Sequence, residues 1–356
     1  MHDVESMPKR LAAFLSERDG ERSATVVSYE TMVGGYSRLM AKAEVEWSDG
    51  ERDTFVLRGD PLPGKAMIET SRDVEYQLLR ALTDAATVAM PAVRHYDSTG
   101  EALGTKCIVL DFVAGSSLQA LLHTAEGAND QLRHAADLVD TLARVHSIDT
   151  DVVAPTLPVP SNWDDYLSGL IQRFRDADTG HVESVPFLRY VASWLDAHRP
   201  PPLPLRVVHS DFQPANIMVT PDGEHLMIDW ELAHVGDPRE DLGYYNVYSS
   251  ALGPNLFLAD PEAFLARYRE RTGFSEEAVN METMAYFSSL AAITVYAQIL
   301  GGLGAMAQGL NSGLMTTYTI NALSIGHSNF LRGCAAPAPS DQTDETHETD
   351  KETEAV

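Results

Sequence analysis

Residues 207–219 read VVHSDFQPANIMV and place three polar side chains between two short apolar runs. The polar side chains are those of His209, Asp211 and Asn216, and aliphatic residues flank them on both sides. Flanks of this composition predict a short strand on each side, with a tightly held loop between them. A rigid loop that carries a carboxylate and an amide is a candidate for a chemical site.

Three short strands are predicted around this loop, at residues 206–208, 217–219 and 225–230. The third follows a Pro-Asp-Gly turn, so the second and third strands should form a hairpin. A hairpin of this length brings Asn216 close to Asp229, which lies near the end of the third strand.

These side chains have complementary chemistry. The amide oxygen of Asn216 and the carboxylate of Asp229 are hard oxygen ligands of the kind that Mg²⁺ prefers. Asp211 would stay free of the metal, and a free carboxylate can orient a hydroxyl and accept its proton. Together they are the minimum set for phosphoryl transfer to an alcohol.

The spacing His-x-Asp-x-x-x-x-Asn is also the catalytic-loop pattern of kinases. With the downstream stretch DWELAHVGDPREDLGY, it resembles the aminoglycoside phosphotransferase and choline kinase-like family. Within that family, it is most similar to the phosphotransferase branch related to kinase-like domains of certain acyl-CoA dehydrogenases. The resemblance covers about residues 25–332 and is strongest over 207–243. It implies an α+β, two-lobed protein-kinase-like fold, with a small β-sheet lobe and a larger, mainly helical lobe.

The resemblance also implies a nucleotide site in the first lobe. Arg58, on the third strand, would hold nucleotide phosphates and pair with a helix glutamate, Glu75, with Glu69 as the alternative. The residues implied to cover the phosphates are Gly34, Gly35, Tyr36 and Ser37, although a Gly-Gly pair is equally suited to a hairpin turn. The residues implied to hold the base through their backbone are Asp111, Phe112 and Val113.

The catalytic candidates implied by the resemblance are Asp211, as the proton acceptor, and His209. We expect the histidine to brace the backbone around Asp211 more than to take part in the chemistry. Ser210 stands where the family usually has glycine, so the backbone here is a place to look for distortion. The acids at 231, 237 and 241 are expected to hydrogen-bond loop backbone, and His146 to cap or pack a helix end.

The chain is expected to divide into four parts. Residues 1–23 form an N-terminal helix, 24–113 the first lobe, 114–334 the second lobe and 335–356 a disordered acidic tail. Residues 290–310 are uncharged and long enough to span a membrane. Their glycines and glutamines instead predict buried helices with a break at Gly301-Gly302.

Composition limits the possible partners. The chain has 356 residues and a formal net charge of −26. Such acidity argues against a nucleic-acid partner, because phosphate contacts need clustered lysine and arginine. It is compatible with cationic small molecules, and equally with simple solubility. The two cysteines, Cys107 and Cys334, and the absence of a signal-peptide pattern favour a cytoplasmic protein with no membrane partner.

The substrates implied are a nucleotide, ATP or GTP, with Mg²⁺, and a small-molecule alcohol. A hydroxyacyl thioester or other lipophilic alcohol is favoured by the branch, and an aminoglycoside or macrolide by the acidity. The apolar helices that carry Tyr286 and Tyr296 either line an acceptor pocket or form plain core. A catalytically silent nucleotide-binding scaffold is the alternative of another class. The oligomeric state stays open.

Overall fold

A computed structural model of the chain describes residues 6–32, 38–61, 70–124, 128–179, 186–252, 255–307 and 328. Its first part is an antiparallel sheet of five strands in the order β1-β2-β3-β5-β4. The strands are β1 (Ala24–Thr31), β2 (Arg38–Trp47), β3 (Arg52–Pro61), β4 (Val93–Asp97) and β5 (Cys107–Asp111). Two helices accompany them, α1 (Met7–Asp19) before β1 and α2 (Arg72–Ala85) between β3 and β4.

Both of these helices follow from their sequences. The apolar residues of α1 recur at helical spacing and are buried in the same cluster as the inner residues of β2 and β3. Helix α2 begins after Ser71, whose side chain accepts a hydrogen bond from the amide of Val74. Its buried face carries Leu78, Leu79 and Leu82, which join the main core of the molecule.

The rest of the described chain is mainly helical. Its helices before the catalytic loop are α3 (Leu118–Thr124), α4 (Ala128–His146), α5 (Thr150–Val153), α6 (Trp163–Thr179) and α7 (Pro186–Ala197). Those after it are α8 (Arg239–Leu252), α9 (Leu256–Ala259), α10 (Pro261–Thr272) and α11 (Met281–Ala307).

Short strands flank the loop at residues 209–216. They are β6 (Ser116–Ser117), β7 (Arg206–Val208), β8 (Ile217–Val219), β9 (His225–Met227) and β10 (His234–Gly236). Strands β6, β8 and β9 form one antiparallel sheet, and β7 and β10 form another. The predicted hairpin is therefore present, as β8 and β9.

The structure corrects one expectation about the apolar segment. Helix α11 continues through Gly301-Gly302 to Ala307 without the predicted break. Glycine in a helix interior costs only about 1 kcal/mol relative to alanine, which the packing of a long apolar helix outweighs. Among the described residues, no helix combines the length and apolarity needed to cross a membrane. The expected acidic tail lies outside the described residues.

Candidate active site

His209 braces the loop that follows β7. Its ring is fully buried and packs edge-on against Trp230. The Nε2–H donates to the carbonyl of Ile228 at 2.9 Å, so Nδ1 is left to accept the amide N–H of Asp211 at 3.3 Å. Because both ring nitrogens bond to backbone groups on either side of the loop, the ring ties Asp211 to the end of β9.

A buried carboxylate anchors the same loop from below. Asp241, in the first turn of α8, accepts the amide N–H groups of His209 and Ser210 at 2.8 and 2.7 Å. It also accepts Nε2–H of His146, the last residue of α4, at 3.0 Å. Burial would raise the pKa of Asp241, but the hydrogen bond and charge of His146 outweigh it and lower this pKa. The expectation of a loop-backbone bond is confirmed for Asp241.

The carboxylate of Asp211 is surrounded by donors from its own chain. Its Oδ1 accepts from the Tyr244 hydroxyl at 2.6 Å and from Gln213 Nε2 at 2.7 Å. Its Oδ2 accepts from Asn216 Nδ2 at 2.7 Å. Burial raises the pKa of Asp211, the Tyr244 bond opposes the rise, and the nearby Asp229 charge adds to it. The carboxylate is therefore partly buried and held by three donors.

Asn216 and Asp229 are brought together as the hairpin predicted. The amide N–H of Ile228 donates to the carbonyl of Asn216 at 3.0 Å, which places Asp229 next to it. The Nδ2 of Asn216 is turned toward Asp211, so its side-chain oxygen faces the other way. Asp229 has a left-handed backbone, with φ 66°, a conformation that non-glycine residues rarely adopt.

Arg58 joins the five-stranded sheet to this cluster. The side chain lies on β3, and its Nε is 2.8 Å from Oε1 of Glu75 on α2. Its Nη2 donates to Asp229 Oδ1 at 2.5 Å and to Glu231 Oε2 at 2.8 Å. Arg72 pairs with the other oxygen of Glu75. The structure thus places Glu75, the first choice from sequence, against Arg58, and Glu231 bonds to this side chain rather than to loop backbone.

The donors near Asp229 fit a hard divalent cation. Among the described residues, no group of three or more His, Cys, Asp or Glu side chains could hold a metal ion. A carboxylate and an amide oxygen are enough for Mg²⁺, which keeps water and substrate phosphates as its remaining ligands. Asn216 and Asp229 are the residues that would hold it.

The predicted base-binding segment is partly engaged within the protein. The amide of Asp111 donates to the carbonyl of Ala92, and that of Phe112 to the carbonyl of Thr54, both at 2.9 Å. Across the described part of the chain, no backbone bond is formed by the amide of Val113. The amides of Asp111 and Phe112 are thus engaged within the protein, and the base-binding role of this backbone segment stays a prediction. The predicted phosphate-covering residues Gly34, Gly35, Tyr36 and Ser37 lie outside the described residues.

A small buried apolar cluster lies close to Asp211. The ring of Tyr244 packs against a small cluster made of Val247, Ala291 and Ala292, and its hydroxyl reaches Asp211. Tyr286, by contrast, is buried in the core formed by α6, α7 and α11, and Tyr296 packs against that core. The plain-core interpretation is therefore confirmed for Tyr286, whereas the role of the partly buried Tyr296 stays a prediction.

Sequence reasoning missed Tyr244 and Gln213. Both contact Asp211, yet neither belongs to the spaced motif from which the site was built. A signal for Tyr244 was available, because it lies three residues after Asp241 on a predicted helix. Residues three apart share a helix face, so an acid beneath the loop implies a neighbour at Tyr244.

Comparisons with known proteins agree with this geometry. The model of a family described as the phosphotransferase enzyme family matches residues 42–278. Acyl-CoA dehydrogenase family member 10 from Mus musculus is 28% identical over 201 residues, covering 53% of this chain and 18% of that protein. The chain spans between 18% and 36% of the length of the curated relatives it matches.

Solved structures share the fold. The macrolide 2'-phosphotransferase MphH from Brachybacterium faecium aligns with a TM-score of 0.58 and 22% identity, over 88% of this chain and 97% of that one. The GDP complex of wild-type aminoglycoside 2'-phosphotransferase-IIIa aligns with a TM-score of 0.61 and 15% identity, over 91% and 99%. The predicted α+β, kinase-like fold is thereby confirmed.

Proposed function

Because this chain belongs to the phosphotransferase enzyme family, we propose that it moves the γ-phosphoryl group of ATP or GTP to a hydroxyl of a small molecule. The observation that carries the proposal is the clustering of Asp211, Asn216 and Asp229 beside Arg58. A proton acceptor, two hard oxygen ligands and a cation are the parts that this reaction needs.

Charge positioning is the main task of the nucleotide side. Arg58 presents a planar guanidinium that can contact phosphate oxygens as a fork, and Glu75 holds it in place. A Mg²⁺ ion held by Asn216 and Asp229 would neutralise negative charge on the β- and γ-phosphates. The backbone amide of Val113 can donate a hydrogen bond to the purine base of the nucleotide.

The proton of the acceptor hydroxyl passes to Asp211. Asn216 and Gln213 orient the carboxylate, and the Tyr244 hydroxyl occupies the side of Oδ1 that faces the apolar cluster. Because Tyr244 and Gln213 already donate to Oδ1, the acceptor hydroxyl meets the base at Oδ2, the oxygen to which Asn216 donates. Transfer then needs alignment and charge neutralisation, and no covalent intermediate on the protein.

The apolar wall beside Asp211 supports an acceptor with a lipophilic body. The partly buried ring of Tyr244, backed by the buried Val247, Ala291 and Ala292, offers hydrocarbon rather than charge to whatever binds there. The mouse relative carries the name of an acyl-CoA dehydrogenase family member, which supports a hydroxyacyl thioester. The acidity of the chain supports an aminoglycoside or macrolide as the second candidate.

A panel of acceptors tests the proposal. The purified protein is incubated with Mg²⁺ and ATP or GTP, and with hydroxyacyl thioesters of increasing chain length, simple alcohols, aminoglycosides or macrolides. Phosphorylated product is measured by mass spectrometry. We expect turnover with thioesters that increases with chain length. Nucleotide binding without turnover of any acceptor would instead indicate a silent scaffold.

The variant Asp211→Asn separates binding from chemistry. It removes the proton acceptor and leaves the metal ligands in place, so kcat should fall by about 10²–10⁴-fold. Nucleotide affinity, measured by calorimetry, should stay within about twofold because uniform binding is unaffected. Turnover at the wild-type rate would show that Asp211 is not the base.

A further inference from the structure

Ser210 adopts a backbone that its side chain disfavours. Its φ is 64°, in the left-handed region that glycine enters freely and other residues enter under strain. The residue lies directly before Asp211, so any relaxation of this turn would move the carboxylate. Something in the fold must hold Ser210 in place, because strained conformations persist only where their surroundings impose them.

A row of hydrogen-bonded side chains begins at the Ser210 hydroxyl. Its Oγ is 2.9 Å from Nδ1 of His234, whose Nε2 is 2.8 Å from the Tyr166 hydroxyl. That hydroxyl donates to Oε1 of Glu240 at 2.6 Å. The row therefore runs from the catalytic loop to the beginning of α8, and it ends on a carboxylate.

Counting donors fixes the direction of the row from His234 to Glu240. The Tyr166 proton is used toward Glu240, so the tyrosine oxygen must accept from Nε2–H of His234. In the neutral imidazole, Nδ1 carries a lone pair that accepts the hydroxyl proton of Ser210, and in the imidazolium Nδ1–H donates to Ser210 Oγ and to the carbonyl of Leu232 at 3.3 Å. In both protonation states the Ser210 hydroxyl is bonded to the His234 ring, which holds the serine side chain.

The fold is built around this row. His234 begins β10 and pairs with Val208 of β7, one residue before the loop. A side chain at Gly236 would collide with the Tyr166, Glu240 and His234 side chains, at 2.4, 2.7 and 2.8 Å from its Cβ. Burial would lower the pKa of His234, but the hydrogen bond and charge of Glu240, aided by Asp241, raise it.

We propose that His234 is a positioning residue for phosphoryl transfer, which holds Ser210 in its left-handed turn and so aligns Asp211. This inference rests on the proposed function and extends it to residues that touch neither substrate. It also explains how serine can stand at a position where the family usually has glycine. Glycine needs no such hold, so the role of His234 should depend on Ser210.

A double-mutant cycle tests that dependence, with His234→Ala, Ser210→Gly and both changes together. With Ser210 present, His234→Ala should lower kcat by about 10–100-fold, because small displacements of a catalytic group have effects of that size. The KM for nucleotide should change by less than about twofold, since the metal ligands are untouched. In the Ser210→Gly background, removal of His234 should lower kcat by less than about threefold.

The control is His198→Ala, since His198 is exposed at the end of α7 and its removal should leave kcat unchanged. An equal loss of kcat with and without the Ser210→Gly change would overturn the proposal, because a purely structural role of His234 predicts it. If His234→Ala does not fold, ¹⁵N NMR of the wild-type ring at pH 9 decides. A protonated Nε2 supports the row, and a bare Nε2 overturns it.

Failure of the proposed function gives a different result. It would appear as absence of turnover in the wild-type protein with every acceptor and with water. The row of hydrogen bonds could still be tested in two ways. One is the NMR result, and the other is the coupling between Ser210 and His234 in the free energy of unfolding by urea. Loss of that coupling, in a protein that does turn over, would overturn this inference alone.

Discussion

The carboxylate of Asp211 illustrates how much of a catalytic group lies outside its motif. Its partner Asn216 belongs to the same loop and could be placed from spacing alone. Tyr244 reaches it from α8, a contact that depends on where a distant helix packs. The proximity of Asp211, Asn216 and Asp229 could therefore be predicted, whereas the groups that shift the pKa of Asp211 from outside the loop could not.

Tyr244→Phe should shift the pH dependence of turnover. The hydroxyl stabilises the charged form of Asp211, so its loss raises the pKa of Asp211 further above its ordinary value. A base acts only when deprotonated, so kcat is lost as pH falls through that pKa. The acid limb of the kcat profile should move to higher pH by about half a unit to one unit, as expected for one neutral hydrogen bond.

Tyr190→Phe provides the comparison, because Tyr190 is 54% exposed on α7. Its profile should overlay that of the wild-type protein, while the Tyr244→Phe profile should converge with both at high pH. Profiles of all three proteins that coincide at every pH would show that Tyr244 does not bond to the base during turnover.

At the level of elements, local patterns predicted the long helices, except that α11 was expected to break at Gly301-Gly302. They also predicted the strands β7 and β8, whose bounds match at 206–208 and 217–219. The strands β6 and β10 were not predicted. Their sequences, Ser-Ser and His-Val-Gly, lack the apolar run that marks β7 and β8, and each exists because a distant strand pairs with it. Strand β4 was missed as well, since its pairing with β5 is equally non-local.

The crossing of α8 and α11 depends on a missing side chain. A Cβ at Gly243 would lie 2.3 Å from the carbonyl carbon and oxygen of Phe287. Backbone cannot move aside as a side-chain tip can, so Gly243→Ala should lower the free energy of unfolding by about 1–3 kcal/mol. Urea unfolding followed by circular dichroism measures the change.

Gly169→Ala is the matched control. Gly169 is in the middle of α6, where an added Cβ meets nothing within 4 Å. Alanine there should raise the free energy of unfolding by about 0.4–1 kcal/mol, because it restricts the unfolded chain and suits a helix. Equal effects of the two substitutions would contradict the close crossing of α8 and α11.

Across the whole molecule, Arg58 connects the sheet to the catalytic part of the chain. It is the point where β3, α2 and the segment after β9 meet, through Glu75, Asp229 and Glu231. Order and spacing along the chain predicted the residue and its glutamate. Its bond to Asp229 was not predicted, because it joins residues 171 positions apart.

If Asp229 binds a metal ion as proposed, that bond makes Arg58 a competitor for the ion in the absence of nucleotide. Arg58→Met should therefore tighten the binding of Mn²⁺, used as a probe for Mg²⁺, by about tenfold or more, the effect of one charge-assisted hydrogen bond. Asp229→Ala should abolish this binding. Electron paramagnetic resonance of free Mn²⁺ measures both.

Arg175→Met, which removes an exposed ion pair with Asp196, should leave Mn²⁺ affinity unchanged. Weaker Mn²⁺ binding in Arg58→Met than in the wild-type protein would show that Arg58 assists the ion rather than competing with it.

Helix α8 carries both the loop anchor Asp241 and the wall residue Tyr244. The two residues therefore lie on one rigid helix, and a displacement of one also displaces the other. An acceptor too bulky to fit beside Tyr244 would displace α8, and with it Asp241, which anchors the loop that carries Asp211. Such a molecule would still bind but would react slowly. Acceptors should therefore differ more in kcat than in binding affinity.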